Sequence, residues 1–566
     1  MDNRNQPMDA VLEGNNPKLQ SVKYTNHLPE GKLGDYRQNE RVDFMPDPAT
    51  SPYFDGKQSY LHIRVTNTST FTTNAAVGVI PPLCFPAHIG ANALINRCVV
   101  RSKDNSQVIE DIEAYNQITG VKNSYTHDSD VFKTLSRISG IAGRTPCGMN
   151  QGVGDLSTNY FLPNGQTVAT RDITGGNVTS AATFCVPIES GLFSAFGGEH
   201  HVVPNLDIPL HLQFFLEKAD IALHTLYSHF IHSVTVNGTA CINRYAKDPF
   251  ETHAGTVVGS TFLIAAAVCD TTLTFEGNRF GAKDCAFRIG YPVELEGGQV
   301  LEITNVEVDQ GGGNNQIRLT FGDAPANAAA TTVKLPPVTR AYNIDKIELK
   351  TLLTIPDQPT MRMIRSQIQK GISFTSLQLY KASTAEGLRN AVIEIPEALT
   401  RAQSILALPC AQGNLEALDL ENSYIYCQPD ALVGTNDNQT TYQWQVQNTL
   451  LPNLAVETNS ATNDANDNCI YFNQVVMALR HLVRVSALGD DPECRKEDDI
   501  DIELPFFYPV SLSPRGQSFN IIDSAPQLRI NNSSTTPANI RAKLYFIHVV
   551  HTRILKATDM GASISF

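Results

Sequence analysis

The feature that most constrains this chain is the recurrence of short runs in which apolar and polar residues alternate, separated by clusters of Pro, Gly, Asn and Asp. YLHIRVTNTSTFTT from Tyr60 and ALINRCVVRS at Ala93–Ser102 alternate in this way and are rich in Val and Thr. Such runs suit a strand with one buried face. ATFCVPI at Ala182–Ile188 reads the same way, as does DIPLHLQFFL at Asp207–Leu216, where Leu210, Leu212, Phe214 and Leu216 share one face. Asp104–Gly120 instead places Val108, Ile109, Ile112 and Tyr115 at helical spacing behind a polar start, which predicts a short amphipathic helix.

Residues 225–339 differ in composition: Gly, Ala, Thr and Asn rise, with GGG at 311–313 and AAATT at 328–332. The segment still reads as β. Val300–Asp309 and Gln316–Gly322 alternate around a Gly- and Asn-rich connection of six residues, as in a hairpin with a longer loop. AYNIDKIELKTLLT (Ala341–Thr354) resumes the strand pattern, and TMRMIRSQIQKG (Thr360–Gly371) has helix formers, a basic last turn and a closing Gly. From Ile372 a second strand-rich half follows. Within it Thr400–Leu408 and 474–487 are ambiguous between helix and buried strand. Short strands with few long helices point to an all-β chain built from β-sandwiches, not to a parallel α/β sheet.

The length of 566 residues allows three or four units at roughly 100–200 residues each. Apolar residues make up 42% and charged residues 18%, enough for packed cores. The net charge of -14 disfavours a chain-wide nucleic-acid role. Met1–Ala10 resembles no secretory signal, so synthesis in the cytosol is expected, and the longest uncharged apolar run, about Phe262–Cys269, is far too short to span a bilayer. Eleven cysteines at wide spacings (84, 98, 147, 185, 241, 269, 285, 410, 427, 469, 494) form no C-x-x-C and read as reduced, mostly buried thiols.

The search for chemistry finds no G-x-S-x-G elbow, no Walker loop and no H-E-x-x-H. His200 and His201, and the group His224, His229 and His232, raise a metal reading, but their spacing does not secure a third ligand and an open position. The acidic run Asp490–Glu503 lacks the offsets of a calcium loop and reads as a solvated loop. Glu189, Asp207, Glu217 and Asp220 are the carboxylates considered for acid–base work, with nothing to set two of them on one cleft. No catalytic, cofactor or metal residue is assigned. Arg529, Arg541, Lys543, Arg553 and Lys556 give the final strands a local basic excess: a basic face, or ordinary strand edges carrying cations. The Asn-x-Ser/Thr sequences at Asn67 and Asn532 are read as chance occurrences.

Three stretches, Ile89–Gly120 with its Tyr115-Asn116 pair, Glu189–Leu223, and Phe519–Phe566 with its Arg-Ile-Leu and Met-Gly tail, follow one another in a familiar order. On them the chain resembles the double jelly-roll major capsid proteins of double-stranded DNA viruses, in particular the polinton-like virus and virophage branch. Thr441–Asn453 adds a fourth likeness. The resemblance implies two eight-stranded jelly rolls with a few short helices. The polar segment 1–44 reads as an N-terminal arm that orders on assembly, or as a frayed terminus with no role; 45–224 plus 340–358 is expected to form the first jelly roll, 359–371 a connecting helix, and 372–566 the second jelly roll with the C-terminal tail. The β-rich insertion at 225–339 has no counterpart placed residue by residue, and such insertions in the family often build an outer tower. The resemblance further implies a homotrimeric, pseudohexameric capsomer in the icosahedral shell of a virion, with no enzymatic role and no cofactor. Its partners would be neighbouring capsomers, penton and minor capsid proteins, an internal membrane or packaged DNA on the inner face, and a host surface reached through the insertion. Two other readings remain at this stage: a carbohydrate-binding or glycan-processing β-sandwich protein, for which the single Trp444 supplies little aromatic platform, and a receptor-binding spike.

Overall fold

A computed structural model describes residues 19–72, 83–86, 89–126, 138–139, 181–197, 202–225, 233–236, 239–242, 252–265, 291–309, 316–396, 399–411, 440–457, 468–483, 506–512, 519–522, 525–532, 540, 542–558 and 561–565. In chain order the first half contributes β1 (Leu19–His27), β2 (Arg41–Phe44), β3 (Phe54–Asn67), β4 (Ile95–Ser102), β5 (Val108–Glu113), helix α1 (Tyr115–Thr126), β6 (Ala181–Pro187) and β7 (Leu210–Leu216). The six strands that form the insertion's barrel follow: β8 (His253–Val258), β9 (Thr261–Ala265), β10 (Pro292–Leu295), β11 (Val300–Asp309), β12 (Gln316–Phe321) and β13 (Thr332–Lys334). The chain then returns as β14 (Tyr342–Pro356) and passes through helix α2 (Gln358–Lys370). The second half holds β15 (Ile372–Thr384), β16 (Asn390–Glu394), β17 (Ala402–Ala411), β18 (Thr440–Val446), β19 (Thr449–Glu457), helix α3 (Asn468–Leu479), β20 (Tyr508–Ser511), β21 (Gln527–Asn532), β22 (Lys543–Thr558) and β23 (Gly561–Ser565).

Each half pairs its strands in the same order. In the first, one sheet runs β1-β14-β3-β6 and the other β2-β7-β4-β5; in the second, β15-β22-β17-β20 faces β16-β21-β18-β19. Counted within its own half, the first strand lies beside the eighth, the eighth beside the third and the third beside the sixth, while the second, seventh, fourth and fifth make the opposite sheet. This is the jelly-roll order, and it occurs twice. The expected all-β double jelly roll is therefore observed. Alternation fills each interior: Leu61, Ile63 and Val65 of β3, and Leu210, Leu212 and Phe214 of β7, are fully buried. Each such side chain contributes roughly 1.5–3 kcal/mol.

The expected arm at 1–44 needs correction. β1 pairs with β14 from Leu19↔Pro356 to His27↔Leu349, and β2 pairs with β7, so two of the eight strands of the first sandwich come from this segment. LQSVKYTNH lacks an apolar period because β1 is an edge strand, held mainly by main-chain bonds that are indifferent to side-chain polarity. The helix expected over Asp104–Gly120 also divides. Val108–Glu113 is a strand paired with β4, and helix begins only at Tyr115, after Ala114 adopts φ +50°. Val108, Ile109 and Ile112 are β-branched and suit the sheet. The first ambiguous run resolves as strand at Ala402–Ala411, and the described part of the second enters helix Asn468–Leu479, with 484–487 outside the described residues.

Between the seventh and eighth strands of the first sandwich, β8-β9-β12-β11-β10-β13 close into a barrel. The Val300–Asp309 and Gln316–Phe321 runs pair as a hairpin within it. The barrel has its own apolar core, including Phe262, Ile264, Val293, Leu295, Leu319 and Phe321, and Phe71, from the segment just after β3, packs into that core beside Tyr291. Helix α2 starts at an Asp357 cap, whose carboxylate accepts from Thr360 N at 3.0 Å, and stops at Gly371 with φ +114°. Because β1 and β2 belong to the sheets, deletion of residues 2–44 is expected to give insoluble protein in a soluble-fraction assay; a soluble, folded product would contradict the assigned pairing.

Candidate functional site

Among the described residues the side-chain sets of most interest lie at the joint between the two sandwiches. A single apolar cluster runs through both, and at its boundary Tyr125 of α1 meets Phe507 edge-on with ring centroids 5.7 Å apart. The chain after β6 is pressed against β15. At Gly191 a side chain would run into the Thr375 carbonyl, and at Gly197 (φ +76°) a Cβ would lie 2.7 Å from Thr375 Oγ1. Gly197 N donates to Leu482 O at 2.7 Å, Arg553 Nη1 to Ile109 O at 2.8 Å, and Asn105 Nδ2 to Ala562 O at 2.7 Å. Each of these bonds links the first half to the second.

Glu110, buried on β5, anchors the loop that makes this approach. Its carboxylate accepts from Ser190 Oγ, from Gly191 N at 3.0 Å and from Leu192 N at 3.4 Å. Burial pushes this carboxyl above the usual range, opposed by those donors and by the Arg553 charge. Burial in turn lowers Arg553, and Glu110 and Asp111 pull it back up. A second fastening holds the connecting helix: Asp207 accepts from Tyr53 Oη at 2.7 Å and lies 3.1 Å from Arg365 Nε. Tyr53 is pushed up to about 12, first by burial and then by Asp207.

The stretches that carried the family resemblance meet one another. Tyr115 Oη accepts from Glu189 N at 2.7 Å, and Lys122 pairs with the Glu189 carboxylate. Glu217 accepts from Asn116 Nδ2 at 3.0 Å, Asn96 Nδ2 at 3.2 Å and Lys218 N at 2.9 Å, and burial raises its carboxyl. The Tyr-Asn pair thus ties α1 to the ends of β6 and β7. Of the four carboxylates considered for acid–base work, Glu189, Asp207 and Glu217 are engaged in these separate structural sets, and Asp220 pairs with Arg340 at 3.0 Å.

The remaining candidates fare as follows. His200, His201, His229, His232 and Asp490–Glu503 lie outside the described residues, and His224 is placed only as backbone, in a short strand with Cys84 opposite. Among the described residues no group of three or more His, Cys, Asp or Glu side chains could hold a metal, and no helix is long and apolar enough to cross a membrane. The basic residues of the last strands do not make one face: Arg529 is exposed on β21, Lys543 and Arg553 are buried, Lys556 is exposed beside Gly371, and Arg541 lies outside the described residues. Strand alternation and the interior position of β22 separate them. Cys98 and Cys410 are buried and Cys185 half-buried, all as thiols. Asn67 is buried and caps Ser69 N at 3.0 Å, and Asn532 is buried with its amide 3.3 Å from Thr440 Oγ1, so both serve the fold. Ser51 Oγ lies 3.2 Å from His27 Nε2, but the same nitrogen lies 3.0 Å from Thr351 Oγ1 and Ser51 is fully buried, which makes it a packing bond.

No protein-family model and no curated protein sequence matches this chain. Solved structures do resemble it. The Faustovirus major capsid protein is 9% identical over 95% of this chain and 90% of its own, with a TM-score of 0.49. A cryo-EM structure of the Sputnik virophage gives 11% identity, 97% and 89% coverage and a TM-score of 0.42, and the mavirus major capsid protein 9%, 96% and 90%, with 0.37. The architecture itself rests on the strand order and register of this chain.

Two substitutions test the joint. Gly191→Ala is expected to lower stability by about 2 kcal/mol or more, since the Thr375 backbone must move. Arg553→Met, which leaves Glu110 buried without its counter-charge, should cost about 3 kcal/mol. Urea midpoints equal to wild type for both would refute the joint's role.

Proposed function

We propose that this chain is a major capsid protein, a building tile of the icosahedral shell of a double-stranded DNA virus. The observation that carries the reading is the repetition of one eight-strand order twice in a single chain, the two copies fastened by buried backbone contacts instead of a flexible linker. A sandwich of this kind buries both inner sheet faces and leaves its loops free to elaborate contacts. Two such blocks fixed side by side can present six sandwiches from three chains, and threefold rotation closes one heterologous interface repeated three times. The sequence resemblance, spread from Ile89 to Phe566, points the same way.

On this reading the work is mechanical and involves no covalent chemistry. The partners are two further copies of the chain, neighbouring capsomers, and the penton and minor capsid proteins. An internal membrane or packaged DNA would lie against the inner face, and the chain would reside in the virion shell after synthesis in the host cytoplasm. The barrel in the 225–339 insertion, placed between the seventh and eighth strands, is the proposed outer tower and the candidate contact to a host surface. The glycan-binding alternative loses the chain's single Trp as a platform, because Trp444 is fully buried in the second sandwich.

Mass photometry and negative-stain imaging of the purified protein are expected to give three times the chain mass and hexagonal particles; a monomer at every concentration would exclude the reading. Replacing residues 225–339 by a short linker should leave a folded trimer, and insoluble protein would show that the insertion is part of the tile's core.

A further inference from the structure

The two sandwiches repeat one strand order, so each element at the joint has a counterpart elsewhere in the chain. The joint sets the first and eighth strands of the second sandwich, β15 and β22, against the fifth strand of the first, β5. Lys381 Nζ of β15 lies 4.0 Å from Glu113 Oε2 of β5, and Arg553 Nη1 of β22 donates to the Ile109 carbonyl at 2.8 Å. Helix α1, which follows β5, meets the second sandwich through Tyr125 and Phe507. Ten of its twelve residues are buried, the polar Asn116 and Gln117 among them. A helix lying on one sandwich ordinarily keeps a polar face in water, so burial this complete needs cover on a second side, and Phe507 supplies part of it.

The counterparts of these elements are exposed. In strand order β1 and β14 correspond to β15 and β22; β19 corresponds to β5 as the fifth strand at a sheet edge, and α3 follows β19 as α1 follows β5. Tyr24 of β1 is 52% exposed. Leu28 and Leu33 are exposed in the segment that runs from β1 to the Tyr36–Ile344 bridge beside β14. On the other surface Leu454 of β19 is 78% exposed, and Leu450 of β19 and Ile470 of α3 are exposed as well. Among the described residues twelve large apolar side chains are exposed, and these six make up half of them although the two edges hold a small part of the chain. Apolar side chains gathered in this way mark a surface that another protein covers.

We propose that copies of this chain join by repeating the internal joint: the edge formed by β1 and β14 of one copy seats on β19 and α3 of the next. The two surfaces differ, so the contact is heterologous, and threefold rotation closes it into a ring. This contact rests on the shell reading for its ring of three copies, and adds which surfaces meet. In the ring α3 gains the second cover that α1 already has within the chain.

Leu454→Glu/Ile470→Glu disables one surface and Tyr24→Glu/Leu28→Glu the other. All four positions are exposed in the single chain, so both variants should keep the wild-type urea midpoint; if loss of Tyr24 unfolds the chain, Leu28→Glu/Leu33→Glu replaces that variant and leaves β1 untouched. Mass photometry is expected to show wild type at three times the chain mass and each variant as monomer, with the concentration needed for assembly raised about thirtyfold or more. Sedimentation of the two variants mixed should show a species of twice the chain mass that neither forms alone, because each retains the surface the other lacks. Val258→Glu, at an exposed apolar position of the barrel, should assemble as wild type. Trimers that persist in both variants, that are lost equally in Val258→Glu, or variants that form no mixed dimer would overturn the proposed contact and leave the shell reading standing. A monomeric wild type would overturn both.

Discussion

The constraint on which this structure depends is the closure of each sandwich by its eighth strand. β14 is 15 residues long and β22 is 16, and each lies between the first and third strands of its own half. Until that strand arrives, the first strand of each half has no partner in its sheet. In the first half the pairing joins His27 to Leu349, across the whole insertion. Such contacts carry a large loop-closure cost that is offset only when the core beneath them packs, which makes the closing strand the element that commits each sandwich to its fold. It also explains why the insertion is tolerated where it is. The barrel closes on itself and has its own core, so the ends it presents to β7 and β14 can stay close together.

The second consequence of that closure is the joint. β22 and its neighbour β15 form the side of the second sandwich that meets β5 and the loop after β6. The contacts there are made by backbone approach at Gly191 and Gly197, by Arg553 on the Ile109 carbonyl, and by a buried carboxylate that collects loop N–H groups. Contacts of this kind fix an angle between two bodies more tightly than apolar packing alone, because each polar group left unmade inside the protein is costly. A tile needs that property. A pair of sandwiches on a loose linker could bind a ligand, but could not transmit a fixed geometry to its neighbours.

Much of this was legible in the sequence wherever one strand face is buried. Leu210, Leu212, Phe214 and Leu216 announce β7, and Val300–Asp309 with Gln316–Phe321 announces the barrel hairpin. β1 was not legible, because an edge strand held by main-chain bonds leaves no apolar period. The boundary at Ala114 was hidden because Val108, Ile109 and Ile112 satisfy a helical spacing and a strand equally well. The joint had almost no local signal. The requirement for Gly191 is set by Thr375, nearly two hundred residues later, and nothing local reports it.

Native-state amide hydrogen exchange tests the central claim most directly, by comparing residues 342–356 with 543–555 under conditions that approach global unfolding. If the two closing strands belong to one fastened tile, both segments exchange last and with the same opening free energy. A difference of several kcal/mol between them would mean that the sandwiches open independently, and the account of a single rigid tile would be wrong.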